Sequence, residues 1–490
     1  MTCQLSDLPT ECLQEIIEHL ENNISTLHSC LLVNRLWCKI SVRMLWKDVW
    51  GYNYQQRSLR VTTSILSTLI ACLPNESKEK LYKNEIFILS PNLKSPLFNY
   101  AEFCKVLSIG SLSGIVHNVL KKEPSDRSRL VIDEIIKMFV DQISSLKKLS
   151  YYSRFYSNFT LTYFPGVRDL SELCCSSNLP SNFFWQLSQI CHNLQSISID
   201  FHNEVSNELN ELKELISLQD NLKNLTLIAF AVSWVNIIPA LKKHSNTVTK
   251  LHLYSEYYDL PLSFVSLFTN LQEIIISFLD YGYIEDFKKL QFINFSKLQN
   301  LKIPYQCPKP DYMKKFLEIN GKNLKKFYSG ENDKTLSISI ANFCPNLKNL
   351  FVLFHDGEID ILKDIFINCQ YLESIKIQCG RRFLFEKEVL ETVASHSSNN
   401  FCELKLYNIS YPNSGSVSPE DLESFIINWK NRTSKKLLCI IIIESYGGRS
   451  SLLNEENMLI IKKYENLGII KFGVKHYEEE VIDEEEDYFF

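Results

Sequence analysis

The stretch Leu347-Lys-Asn-Leu350-Phe-Val352 contains a phrase that this chain repeats: an apolar residue, two polar ones, then two apolar residues flanking a variable one. The clear copies begin at Leu194, Leu222, Val248, Leu271, Leu298, Leu324, Leu347 and Leu372. Successive starts from Leu194 to Phe401 lie 23 to 29 residues apart. Within this spacing Asn-Leu followed by Lys or Gln recurs, which separates the pattern from a chance scatter of apolar residues.

Weaker copies extend this series in both directions and begin at Leu146, Val167, Phe401, Leu437 and Leu467. Beyond Phe401 the spacing widens to 36 and then 30 residues. In such an array each repeat supplies one short strand and a helical or irregular return, and no repeat buries its apolar face alone. We therefore predict an α/β repeat region over residues 141–475, built on a parallel sheet.

Residues 1–50 follow a helical pattern instead. Apolar residues recur at i, i+3, i+4 and i+7 as Leu13, Ile16, Ile17 and Leu20, which predicts an amphipathic helix. Pro9 suits the first turn of that helix, a second short helix runs through Leu27, and Asn34 is placed to cap a third that carries Trp37. Three such short helices cannot bury all their apolar side chains among themselves, so we expect a partner protein.

Several of these residues together resemble an F-box: Leu8-Pro9, Glu11, the run Leu31-Leu32-Val33-Asn34-Arg35 before Trp37, and Leu45-Trp46. The resemblance covers roughly residues 4 to 50. In that family the motif binds a small Skp-type adaptor of a cullin–RING ubiquitin ligase. The resemblance implies that the adaptor-binding residues are Leu8, Pro9, Leu13, Ile16, Ile17, Leu20, Leu31, Val33, Arg35, Trp37, Leu45 and Trp46. The alternative is an ordinary N-terminal helical cap rich in Leu and Trp.

The repeats are similar to the longer, cysteine-containing leucine-rich repeats of F-box proteins, in which Cys often precedes Asn-Leu. Cys344-Pro-Asn-Leu347 and Cys191-His-Asn-Leu194 show this order, although the usual Asn or Cys after the strand is mostly absent. The resemblance implies a curved solenoid with its parallel sheet on the concave face. The combination is similar to fungal F-box/leucine-rich-repeat proteins, which implies a substrate receptor of an SCF-type E3 ubiquitin ligase.

Two further segments complete the predicted organisation of domains. Residues 51–140 are expected to form a helical connector, with an amphipathic helix over 58–73 that stops at Pro74 and another helix over 98–107. Residues 476–490 are rich in Glu and Asp, and we expect a disordered acidic tail there.

The composition excludes several classes of protein. A net charge of −5 without a basic stripe argues against nucleic-acid binding. The longest apolar run, residues 437–443, is too short to span a bilayer, and the N-terminus has no signal-peptide pattern. The 15 cysteines show neither CxxC pairs nor zinc spacing and fit thiols in a reducing compartment. We expect a cytoplasmic or nuclear protein without a cofactor or a membrane partner.

Motifs of catalysis are missing from the sequence. It contains no glycine-rich phosphate loop, no His-Glu-x-x-His and no Gly-x-Ser-x-Gly. The adjacent Cys174 and Cys175 have no nearby cation in sequence to lower a thiol pKa, which favours structural burial. His252, alone on a predicted strand, is expected at the surface rather than at a metal. We therefore expect a non-catalytic protein.

A binding surface is predicted from the alternation of side chains along each strand. The variable residue of each phrase faces the concave side, because neighbouring strand residues point to opposite faces. With one neighbouring tyrosine, this rule predicts a substrate-binding face of Thr226, His252, Tyr254, Ile275, Lys302, Tyr328, Phe351, Lys376 and Lys405. Aromatic and cationic side chains favour interaction surfaces.

Three functions fit the sequence. The chain holds a target protein for ubiquitin transfer, it is an F-box scaffold that works without ubiquitin transfer, or it is a plain leucine-rich-repeat interaction protein. The third predicts that Leu13→Ala and Trp37→Ala lower stability without touching an adaptor contact.

Overall fold

A computed structural model describes the chain over residues 9–20, 23–50, 58–86, 96–121, 125–152, 164–201, 209–230, 232–256, 260–279, 283–330, 333–380, 382–408, 416–432, 436–444 and 450–476. The chain divides into two compact units, Met1–His244 and Ser245–Phe490. Of the predicted adaptor-binding residues, Leu8 lies outside these ranges, and so does the acidic segment after His476. No helix in the described ranges is long and apolar enough to cross a membrane.

The first unit begins with helices and continues with strands that alternate with helical returns. Its helices are α1 Thr10–Glu18, α2 Ile24–Cys30, α3 Arg35–Lys47, α4 Leu59–Cys72, α5 Asn75–Lys83, α6 Tyr100–Phe103, α7 Ile109–Val119, α8 Ser125–Gln142, α9 Ser181–Ser188, α10 Asn210–Ser217 and α11 Ile238–Leu241. Its strands are β1 Val106–Ser108, β2 Lys148–Tyr151, β3 Glu172–Ser176, β4 Ser196–Phe201 and β5 Asn224–Ala229. These five strands pair in parallel in chain order.

The second unit is a continuous alternation of strands and returns. Its strands are β6 Lys250–Ser255, β7 Glu273–Phe278, β8 Asn300–Ile303, β9 Lys326–Ser329, β10 Asn349–Phe351, β11 Ser374–Cys379, β12 Glu403–Asn408, β13 Leu438–Glu444 and β14 Ile470–His476. The returns after β8 contain α12 Pro310–Asn320, α13 Lys334–Phe343, α14 Ile359–Asn368, α15 Glu386–His396, α16 Pro419–Lys430 and α17 Glu455–Asn466. All nine strands pair in parallel in chain order.

The core of each repeat follows from the repeated phrase. In the repeat of β8, Leu298, Leu301 and Ile303 are the three apolar positions, and each is at most 1% exposed. Parallel strands require a crossover, and the return segments supply one between successive strands. The predicted α/β class with a parallel sheet is therefore confirmed, and the apolar residues of the clear copies form its core.

The recurring asparagine also has a structural reason. Asn270 Nδ2 donates a hydrogen bond to the carbonyl oxygen of Asn246 at 2.6 Å, and Asn346 Nδ2 donates to that of Lys322 at 2.7 Å. In both cases the acceptor lies one repeat earlier, so the asparagine joins one turn of the array to the turn before it. These bonds between successive turns give the asparagine of the Asn-Leu token a structural role.

Three details differ from the sequence prediction. The helix expected over 98–107 ends at Phe103 and is followed by β1, so the sheet begins before residue 141. The strand expected from the copy at Val167 belongs to a copy at Leu170, because β3 begins only at Glu172. The last copy starts at Ile469 rather than Leu467, since Phe472 is in register with Ile440. At β1 and β3 a different apolar residue, Cys104 and Leu170 respectively, fills the first core position.

Candidate functional site

The N-terminal helices form a small packed unit. Leu13, Ile17, Leu27 and Ile40 form its core, and Leu20, Trp37, Met44 and Leu45 pack against it. Asn34 caps α3 as predicted, because its Oδ1 accepts a hydrogen bond from the backbone N–H of Trp37 at 2.9 Å. Asn23 does the same for α2, where Oδ1 accepts from Thr26 N–H at 3.0 Å.

This unit leaves apolar side chains on its surface. Leu32 is 88% exposed in the turn between α2 and α3, and Val33 is 57% exposed beside it. The other exposed apolar residues of the unit are Ile16, Ile24 and Leu36. Single exposed apolar residues are ordinary, whereas several on three short helices make this surface a candidate binding site.

The structure divides the predicted adaptor-binding residues into two groups. Pro9, Ile16, Val33 and Arg35 are exposed and Leu31 is half-buried. Leu13 and Ile17 are 2% and 0% exposed and pack inside the unit, and Leu20, Trp37 and Leu45 pack against the same core, so none of these five lies openly on the surface. The reason is that α1 turns its i, i+4 stripe inward, towards α2 and α3.

Trp46 belongs to the contact with the following helices. Its ring lies 4.6 Å from that of Tyr100 on α6, measured between centroids. Nearby, Trp50 Nε1 donates to the carbonyl oxygen of Val106 at 2.6 Å, and Lys105 N–H donates to that of Lys47 at 2.8 Å. These contacts join the end of α3 to α6 and β1, so Trp46 packs partly within the chain, and its predicted adaptor contact stays a prediction.

A second site lies on the sheet of the second unit, on the face opposite the apolar core. A groove of about 360 Å³ crosses β7 to β12, and we call it the sheet-face pocket. One row across it consists of the middle strand residues Ile275, Lys302, Tyr328, Phe351, Lys376 and Lys405, paired in register. A parallel row two residues earlier consists of Glu273, Asn300, Lys326, Asn349, Ser374 and Glu403.

Six of the nine predicted substrate-binding residues thus come together in one row. Thr226 lies on β5 in the first unit, in register with Ser198. His252 is in register with Ile275 but is only 6% exposed, and Tyr254 is 7% exposed. The expectation that His252 lies at the surface is wrong, because its Nε2 lies 3.0 Å from Glu273 Oε1 and the pair packs together.

Two aromatic rings form the centre of the pocket. The rings of Tyr328 and Phe351, on neighbouring strands, lie in contact with centroids 4.3 Å apart and their planes tilted by 34°. Lys302 Nζ lies 5.1 Å from the Tyr328 centroid, and Lys376 Nζ lies 5.1 Å from the Phe351 centroid, which are cation–π distances. The rings therefore hold ammonium groups on the pocket wall.

Two glutamates stand at the ends of the pocket, each with its own partner. Glu273 accepts hydrogen bonds from His252 and, at 2.9 Å, from Asn300 Nδ2. Lys250 Nζ lies 3.9 Å from Glu273 Oε1. These contacts, the one with His252 first, lower the pKa of Glu273 to about 2, against the effect of burial. Glu403 accepts a hydrogen bond from Ser374 Oγ at 2.6 Å.

The predicted row missed the residues two places earlier in each strand. Lys326 is exposed in that earlier row and adds a fourth lysine to the pocket. Alternation along the strand contained the signal, because residues i and i+2 share a face.

In the described ranges no three His, Cys, Asp or Glu residues are placed to hold a metal ion. Burial raises the pKa of the Cys174 and Cys175 thiols, which disfavours the reactive thiolate.

Comparisons with known proteins found similar solved structures at low sequence identity. No family model and no curated protein matches the chain. Among solved structures it is similar to yeast Rad7, solved in a complex with Elc1, at 14% identity and a TM-score of 0.39, over 91% of this chain and 94% of that one. It is also similar to the leucine-rich repeat-containing protein LegL7 from Legionella pneumophila, at 11% identity and a TM-score of 0.34, over 61% of this chain and 91% of that one.

Proposed function

We propose that this leucine-rich-repeat protein is the substrate-recognition subunit of an SCF-type E3 ubiquitin ligase. The N-terminal helices bind a Skp-type adaptor, and the sheet of the second unit holds a target protein. The observation that carries the proposal is the pair Leu32 and Val33, exposed in the turn of a unit whose core is already filled by Leu13, Ile17, Leu27 and Ile40. These two residues also belong to the run that resembles an F-box.

The division of labour follows from the packing. The buried residues hold α1, α2 and α3 together, while Ile16, Leu32, Val33 and Leu36 present apolar surface to the adaptor. Covering these side chains removes apolar area from water, which contributes about 25 cal/mol for each Å² buried. Direct contact therefore falls to the exposed residues, and the buried residues of the motif act by holding them in place.

In this assembly the chain supplies position and no catalytic group. A target held on the sheet stays close to the activated ubiquitin on a separate module, which raises the local concentration of the reacting lysine. The aromatic and cationic residues of the sheet-face pocket provide the kind of surface that protein partners use. Such a receptor works in the cytoplasm or the nucleus.

Copurification with a Skp-type adaptor tests this proposal. Wild-type chain should form a stoichiometric complex, and Leu32→Glu/Val33→Glu should lose it, since two carboxylates would be buried against the adaptor. The matched control is Leu459→Glu/Leu467→Glu, which places the same charges at two other exposed leucines, 69% and 60% exposed. The proposal fails if the wild type purifies alone, or if both double variants bind the adaptor equally well.

Ubiquitin transfer separates a receptor from a scaffold. A target captured through the sheet should be ubiquitinated in the complete ligase, and Leu32→Glu/Val33→Glu should abolish the modification while leaving target capture unchanged. A target that binds in the complete ligase without being modified would instead favour the scaffold.

A further inference from the structure

The sheet-face pocket is basic at its centre. Four lysines line it, Lys302, Lys326, Lys376 and Lys405, against the two glutamates at its ends. Glu273 is already hydrogen-bonded to His252 and Asn300 and lies 3.9 Å from Lys250, so its carboxylate is engaged within the fold. The rings of Tyr328 and Phe351, in contact with each other, add apolar surface among these lysines. The chemistry of the pocket fits an extended peptide that combines carboxylates with apolar side chains.

The chain itself contains such a peptide. Residues 478–487 read Glu-Glu-Glu-Val-Ile-Asp-Glu-Glu-Glu-Asp, with eight carboxylates and the apolar pair Val481-Ile482 in ten residues. Tyr-Phe-Phe follows at residues 488–490. The lysines of the pocket and the carboxylates of this segment are opposite in charge. The net charge of −5 for the whole chain does not reveal that the two signs are concentrated in different places.

The segment is attached within reach of the pocket. It follows β14, and Gly473 on β14 is in register with Ile441, which is in register with Lys405 on β12. Strands lie about 4.8 Å apart, so the path from β14 to Phe351 on β10 is roughly 19 Å across the sheet. Ten extended residues span about 33 Å, which covers this distance and the three residues from Gly473 to His476.

The outermost strand leaves the way open. A Cβ added at Gly473 would meet no atom of the described residues within 4 Å, so within the part of the chain that the structure describes no side chain fills this position of the row. A segment turning back from β14 can therefore cross the same face of the sheet that forms the pocket.

We propose that residues 478–487 bind in the sheet-face pocket of their own chain, as an internal competitor for the surface that takes the target. Attachment raises the effective concentration of the segment to roughly the millimolar range, so that even weak affinity fills the pocket. A target must then displace the segment. The pocket and the segment carry this inference without the adaptor, so it does not depend on the ligase role.

The test compares the full chain with a neutral-segment variant in which each Glu of 478–487 is changed by Glu→Gln and each Asp by Asp→Asn. A fluorescent peptide of residues 477–490 reports on the pocket by anisotropy. The variant should bind the peptide at least about tenfold more tightly than wild type, because its own segment no longer competes. Raising the salt concentration should weaken this binding.

Charge reversal in the pocket supplies the second arm. Lys326→Glu/Lys405→Glu in the neutral-segment background should abolish peptide binding, whereas Lys314→Glu/Lys462→Glu, at exposed helical lysines, should leave it unchanged. Lys376 is left in place because it is only 6% exposed, and thermal melting verifies that each variant is folded.

Carbodiimide cross-linking, which joins a lysine to a carboxylate in contact, reads the internal complex directly. Wild type should give links between residues 478–487 and the pocket lysines. The proposal is overturned if wild type and neutral-segment variant bind the peptide equally, which would leave an acidic peptide of a partner as the occupant, or if neither binds it. Adaptor copurification should be unchanged in all these variants, so failure here is distinct from failure of the proposed function.

Discussion

Tyr328 on β9 and Phe351 on β10 contact each other with ring centroids 4.3 Å apart, on the face of the sheet that lies opposite the core. Lys376 Nζ lies within 5.8 Å of the Tyr328 centroid and 5.1 Å of the Phe351 centroid, so one ammonium group contacts both rings. The two residues hold the same place in consecutive repeats. A periodic backbone thereby assembles a local cluster from residues 23 positions apart in sequence.

The contact between Tyr328 and Phe351 predicts that the two rings are coupled energetically. A double-mutant cycle of Tyr328→Ala and Phe351→Ala should give an interaction free energy of about 0.5–1.5 kcal/mol, the usual value for an aromatic pair. Urea denaturation of the second unit measures it. Additive single effects would show that the rings merely lie close together.

A second prediction concerns Gln219, which is fully buried. Its Nε2 donates to the carbonyl oxygens of Cys191 at 2.6 Å and Leu215 at 2.8 Å, and its Oε1 accepts from Leu194 N–H at 2.9 Å. Gln219→Leu leaves these buried backbone groups without the hydrogen bonds of Gln219. Each unsatisfied group lowers the free energy of unfolding by about 1–3 kcal/mol. Thermal melting should show a clear loss of stability.

The control for this experiment is Gln189→Leu, at an exposed glutamine of the same unit, which should change stability by no more than about 0.5 kcal/mol. Equal melting temperatures for the two variants would show that the hydrogen bonds of Gln219 do not stabilise the fold.

The third prediction is a pH dependence. The pKa of Glu273 is about 2 in the folded chain, below its ordinary value of 4.5, so ionised Glu273 stabilises the fold at every pH above 4.5. This contribution is lost as the pH falls from 4.5 through 2, because the folded chain must then take up the proton. Wild type should therefore exceed Glu273→Gln in stability at neutral pH, and the difference should shrink over that range.

Denaturant titrations of both proteins at several pH values measure this difference. A difference that stays constant down to pH 2 would contradict the hydrogen-bonded, ionised Glu273 described above.

The cysteines give a fourth prediction. Burial raises the pKa of Cys191 and of Cys369 to about 12, and each thiol donates to a carbonyl of the preceding repeat, Val167 and Cys344 respectively. Cys12, in contrast, is exposed on α1. Iodoacetamide near pH 8, followed by mass spectrometry, should label Cys12 rapidly and the two buried thiols only after denaturation. Rapid labelling of Cys191 in the folded chain would contradict this packing.

The fifth prediction separates packing from binding in the N-terminal unit. Leu13→Ala should destabilise the three helices by about 2–5 kcal/mol, because Leu13 is buried in their core. Ile16→Ala, at a residue 42% exposed, should change stability by about 0.5 kcal/mol or less yet weaken adaptor binding. Thermal unfolding and adaptor titration measure the two effects, and the reverse assignment would show that α1 faces the other way.

The periodic phrase predicted the fold well because a strand with alternating apolar residues has one way to bury them. The phrase did not predict the strand where the first core position holds a residue other than Leu or Val. The repeat of β1 has Cys104, Leu107 and Ile109 in those positions, all at most 1% exposed, and a cysteine in first place hid the pattern inside a predicted helix. The copies at Val167 and Leu467 were misaligned because another apolar residue lies two or three places away.

The sequence predicted which residues share one row of the candidate site, but it did not predict how far each of them is buried. Strand alternation placed Tyr328, Phe351 and Lys376 on one face, whereas the burial of His252 depends on Glu273 from the next strand. The same holds for the N-terminal unit, where helical periodicity found Leu13 and Ile16 alike. Which of the two faces inward depends on how α1 packs on its neighbours, and this is a tertiary property.

Hydrogen–deuterium exchange of the full chain with and without a Skp-type adaptor locates the proposed adaptor contact along the chain. We expect slower exchange of the backbone amides in the turn at Leu32-Val33 and in α1 and α3, with the strands β6 to β14 unchanged. Unaltered exchange throughout residues 10–47 in the presence of excess adaptor would contradict it.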